Sequence, residues 1–90
     1  MPSVLIDQPR DGDKIKPGAY TVSGLKRPDN ADVALTIYEI KGNQTTTTIV
    51  PNATEPAPGK WKHPIEVKAG HKYRIVAFNG DAVGHVGFHA

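Results

Sequence analysis

The residues of this chain able to do chemistry are four histidines (His63, His71, His85 and His89), the close carboxylate pair Asp11 and Asp13, and two serines, Ser3 and Ser23. A metal centre is the first chemistry to weigh. His85 and His89 fall on one side of an extended run, but four residues at about 3.3 Å each hold their Cα atoms roughly 13 Å apart. Two nitrogens that must each come within about 2.1 Å of one zinc ion do not span that gap without a sharp bend. His63 and His71 lie in or beside separate strands. Asp11 and Asp13 flank Gly12, and Asp-Gly is turn chemistry before it is calcium chemistry. The remaining oxygen ligands of an EF-hand loop are missing. Neither serine has the glycine pattern of a nucleophile elbow. No carboxylate pair is spaced for acid–base work, and no glycine-rich loop leads into a helix to cradle phosphate. The expectation is therefore a protein that is not an enzyme and that takes no cofactor and no metal.

Composition narrows the partners. The 90 residues carry 11 Lys and Arg against 9 Asp and Glu, a net charge of +2, with no cysteine. Disulfides, thiolate metal sites and thiol nucleophiles are excluded. The mild basic strip of Lys60, Lys62, Lys68, Lys72 and Arg74 has no interleaved aromatics, so it reads as solvation and edge protection, not a nucleic-acid groove. No apolar stretch approaches the roughly 18–20 residues of a membrane span, and the start lacks a basic region followed by an apolar run. A single soluble domain over residues 1–90, with no nucleic acid and no membrane insertion, is expected.

The elements that must position any site are short. Gly and Pro number 17 of the 90 residues and fall as punctuation every 5–10 residues, the spacing of a β-sandwich or barrel. Seven strands are predicted: Val4–Ile6 with a continuation around Ile15, Tyr20–Ser23, Asp32–Ile40, Thr45–Val50, Lys60–Val67, Lys72–Asn79 and His85–His89. The segment 51–59, with three prolines and a glycine, reads as a loop. Alternation assigns one face of each strand to the core. That face holds Val4 and Ile6, Tyr20 and Val22, Val33, Leu35 and Ile37, Trp61, Ile65 and Val67, Tyr73, Ile75 and Ala77, and Val86 and Phe88.

Three stretches carry a resemblance. Ile6-Asp7-Gln8-Pro9-Arg10-Asp11-Gly12 is similar to the opening of bacterial immunoglobulin-like domains, and Tyr20-Thr21-Val22-Ser23-Gly24 to their second strand. Gly59-Lys60-Trp61 with Val67 through Ala77 resembles their pattern around a buried Trp and a later Tyr. The chain thus resembles the immunoglobulin-like and fibronectin-III-like modules of bacterial surface proteins and phage virions. The resemblance implies an all-β, seven-stranded antiparallel β-sandwich of Ig-like type, with Tyr73 in a tyrosine corner. It also implies that the third, sixth and seventh strands share a sheet.

In that arrangement the alternate side chains form a common outer face bearing Tyr38, Arg74, Val76, Phe78, His85 and His89, with few charges. An exposed apolar and aromatic patch with a polar rim marks an interaction surface; the alternatives are that the sixth strand bulges or that loop 51–59 folds over this face. The function expected is non-catalytic attachment to a large assembly, foremost a capsid decoration or tail accessory protein of a phage virion. Its partners would be capsid or tail proteins. Loops 24–32 and 51–59 would join the patch or point outward. The alternative is a spacer or carbohydrate-binding module excised from a larger secreted bacterial adhesin or polysaccharide-degrading enzyme, with a cell-surface glycan as partner.

Overall fold

Alternating apolar and polar residues bounded by turn formers give seven strands and no helix in the computed structural model, which describes residues 2–28 and 31–90. The strands are β1 (Ser3–Gln8), β2 (Gly18–Arg27), β3 (Ala34–Lys41), β4 (Gln44–Val50), β5 (Lys60–Val67), β6 (Lys72–Asn79) and β7 (Ala82–His89). They form two antiparallel sheets, β1-β2-β5 and β4-β3-β6-β7. The sheets pack face to face as a β-sandwich of Ig-like type. The core between them is Val22, Val33, Leu35, Ile37, Trp61, Val67, Tyr73, Ile75, Ala77, Val86 and Phe88. Every one of these sits on the face that alternation assigned inward. Tyr73 stacks on Phe88, with ring centroids 5.1 Å apart.

Several strand limits differ from expectation, for identifiable reasons. Gly24 looks like a terminator in sequence, yet β2 runs through it to Arg27. A side chain there would collide with the Leu5 carbonyl and come within 2.6 Å of the Trp61 indole. Glycine is present to admit the buried ring, not to end the strand. Gly84 likewise lies inside β7, which begins at Ala82 rather than His85. The third strand starts at Ala34, two residues later than predicted, although Val33 is already buried.

The first strand does divide between the sheets. β1 pairs with β2 up to a bulge between Ile6 and Gln8. Beyond the buried Pro9, residues 12–15 run alongside β7: Gly12 N–H donates to the Gly87 carbonyl (2.7 Å) and Ile15 N–H to that of His89 (2.8 Å). The Asp11 and Asp13 carboxylates are engaged in this crossing. Asp11 Oδ1 accepts the Gly87 N–H at 2.8 Å, and Asp13 Oδ2 accepts the Arg10 N–H at 3.0 Å.

Candidate interaction surface

The register of the four-stranded sheet places all six expected site residues on its outer face. Thr36 pairs with Val76 and Val76 with His85; Tyr38 pairs with Arg74; Ala34 pairs with Phe78; Lys72 pairs with His89. Residues opposite one another in an antiparallel ladder share a face. Tyr38, Arg74, Val76, Phe78, His85 and His89 are therefore neighbours across β3, β6 and β7.

Two further apolar residues belong to the same surface. Ile49 of β4 pairs with Thr36, and Val83 of β7 with Phe78. Ile49 is 71% exposed, Val83 54% and Phe78 37%. Sequence reasoning missed Ile49 because alternation does not say which sheet the fourth strand joins. It missed Val83 because Gly84 concealed the start of β7. The outer face is thus graded. One end is apolar (Ile49, Val76, Phe78, Val83); at the other the charged Lys72 and Arg74, with His89 and Ile40, surround a shallow depression of about 270 Å³ beside Gly87. On the opposite side of the sandwich the only apolar pair among the described residues is Leu5 with its partner Leu25, set beside Lys60.

The loop 51–59 does not cover this face. Thr54 makes an antiparallel bridge to Lys62, and the Gly59 carbonyl accepts the Lys26 N–H at 2.9 Å. The loop therefore passes round the edge of the sandwich to the three-stranded sheet. Its Glu55 reaches the buried Lys26 ammonium at 2.5 Å. The loop expected over 24–32 is partly strand, since 24–27 complete β2; Asp29 and Asn30 lie outside the described residues.

A second polar cluster, not foreseen, sits at the open side between the sheets. Glu39 has the same parity as Leu35 and Ile37 and so points inward, where His71 Nδ1 lies 2.6 Å from its Oε2 and the Tyr73 hydroxyl donates to the same oxygen. Burial alone would raise the Glu39 pKa, but the His71 and Tyr73 hydrogen bonds and the nearby Lys68 charge outweigh it and hold the value below normal. Burial pushes the Tyr73 hydroxyl up and His63 down. His63, Glu39 and Thr48 line a cleft of about 260 Å³. Through these hydrogen bonds the cluster ties β3 and β6 to the turn that follows β5. The signal was present in sequence: a carboxylate at a core position requires partners. Among the described residues no three metal-ligating side chains converge. No protein-family model matches this chain, and no curated protein shows significant similarity to it.

Proposed function

We propose that this chain is a non-catalytic attachment module that docks on a large protein assembly through the outer face of its four-stranded sheet. The observation that carries the reading is the apolar group on this face: Phe78 and Val83 are exposed register partners, Val76 is half-buried beside them, and the exposed Ile49 lies across Thr36, with Tyr38, Arg74 and His85 at the border. An apolar centre with a polar, cationic and aromatic rim is the anatomy of a protein interface. A rigid sheet presents that surface with little ordering cost on binding. A small module making one modest contact gains strength when many copies engage a repeating lattice. The resemblance of the Ile6–Gly12 and Tyr20–Gly24 segments to modules of phage virions makes a capsid or tail the assembly proposed. The acid–base and nucleophilic constellations of an enzyme find no counterpart in the sequence.

The test is co-purification. Particles from the native source should carry this chain in fixed stoichiometry, and Phe78→Ala and Tyr38→Ala should each weaken attachment while the fold is retained. Loss at a central aromatic anchor is expected to cost about 2 kcal/mol, roughly thirtyfold in affinity. Attachment that survives both changes would remove this face as the interface. A chain found on no particle, but binding cell-surface glycans as part of a longer polypeptide, would establish the carbohydrate-binding reading instead.

A further inference from the structure

An open sheet edge is a template for another strand, and three of the four edges here are blocked by the chain itself. β1 carries a bulge between Ile6 and Gln8. β5 contains Pro64 among Lys60, Lys62 and Glu66, and Thr54 bridges to it. β7 is lined by residues 12–15. Charges, prolines, bulges and covering segments are the devices that prevent edge-to-edge pairing. Among the described residues β4 has none of them. Its seven residues, Gln44-Thr45-Thr46-Thr47-Thr48-Ile49-Val50, hold no charge and no proline, keep an unbroken register with β3, and are exposed as far as Ile49.

The turn fixes which backbone groups are free. Gly42, at φ 58°, and Asn43 form a two-residue connection closed by the Lys41–Gln44 pair. In such a hairpin the closing pair is hydrogen-bonded, and bonded pairs then alternate along the ladder. Gln44, Thr46, Thr48 and Val50 therefore turn their amides toward β3. Thr45, Thr47 and Ile49 aim theirs outward, at the open edge.

We propose that this edge pairs with β4 of a second copy of the chain, antiparallel, about a two-fold axis through Thr47. Thr47 then exchanges two backbone hydrogen bonds with Thr47 of the other copy, and each Thr45 does the same with the opposing Ile49. Thr46 meets Thr48 on the inner side. The sequence about that axis is nearly self-complementary: threonine faces threonine or isoleucine, a favourable cross-strand combination, and no like charges meet. An uncharged edge offers a foreign charged strand nothing to select, whereas self-pairing satisfies both edges at once and closes as a dimer. The product is a continuous eight-stranded sheet whose two outer faces point the same way. The pairing concerns the chain alone and does not depend on docking to an assembly.

Sedimentation equilibrium over roughly a hundredfold range of concentration, reaching toward millimolar, tests it. The chain should shift from monomer to dimer, with slowed amide exchange at Thr45, Thr47 and Ile49 appearing at the high end. T47P removes an outward N–H without touching the β3 ladder, and T47K sets two like charges across the axis; both should stay folded and monomeric throughout. Phe78→Ala should dimerise as the parent does. If T47P fails to fold, T47K decides. A chain that is monomeric over the whole range, or a dimer that persists in both folded variants, overturns the proposal, as does β4 pairing only with a strand from another protein.

Discussion

Glu39 and Tyr73 are register partners on β3 and β6, and the Tyr73 hydroxyl donates to Glu39 Oε2 at 3.1 Å while accepting the Lys68 N–H at 2.8 Å. One phenol thereby ties the turn after β5 to the centre of the opposite sheet. The bond to the Lys68 backbone is the tyrosine-corner geometry implied for this residue. The bond to Glu39 goes beyond it and makes the tie dependent on charge.

Stability should accordingly fall with acid in two stages. The folded-state pKa of His63 is below 6.5 and that of Glu39 below 4.5, so in both windows the unfolded chain binds more protons and stability rises with pH. The contribution of Glu39 is complete above 4.5 and is lost as pH falls through its lower folded value. The contribution of His63 begins to fall as pH drops through 6.5. Urea denaturation followed by circular dichroism from about pH 7 to about pH 3 should show both stages. Glu39→Gln should cost roughly 1–2 kcal/mol at neutral pH and abolish the lower stage; His63→Gln should abolish the upper one. An unchanged acid profile in Glu39→Gln would show that this cluster is not what titrates.

Gly24→Ala should be among the most damaging single changes. Its methyl group meets the Leu5 backbone and the Trp61 indole, and neither is a flexible chain end. Overpacking against rigid neighbours costs about 3 kcal/mol or more. A melting temperature close to that of the parent would mean that Trp61 has another position available.

The inward and outward assignment of β6 can be checked with neighbouring residues. Ile75 is fully buried, whereas Val76 is half-buried on the outer face. Ile75→Ala should cost about 2–5 kcal/mol and Val76→Ala about 1 kcal/mol or less. The reverse order would invert the face on which the proposed interface lies.

Asn79→Ala should loosen the end of the sandwich. The buried Asn79 amide donates to the carbonyls of Ser3 (2.9 Å) and Arg27 (2.6 Å), joining β6 to β1 and β2. Removing both bonds should cost about 2 kcal/mol and speed amide exchange in β1 before the rest of the sheet. Uniform exchange across β1 and β6 would show that the two sheets open together regardless of this side chain.

The amino-acid sequence by itself determined the number of strands and, for all but the fourth, the face that is buried. A strand turns its side chains with period two, so Leu35, Ile37, Ile75 and Ala77 declare the core, and Tyr38, Arg74, Val76 and Phe78 the outer face, without reference to any partner. The same parity places Glu39 inward, where the fold supplies His71 and Tyr73 as its partners; Lys26, in a segment read as loop, is turned inward only by the extension of β2 and meets Glu55 there. Pairing order was not legible, because alternation is a property of one strand and adjacency a property of two. Only the tertiary structure decided that β4 joins β3, which adds Ile49 to the exposed patch and leaves one edge uncovered. It also decided that Gly24 and Gly84 lie within strands. A glycine that makes room for Trp61 and one that makes a turn are the same residue in sequence, and they differ only in what lies against them.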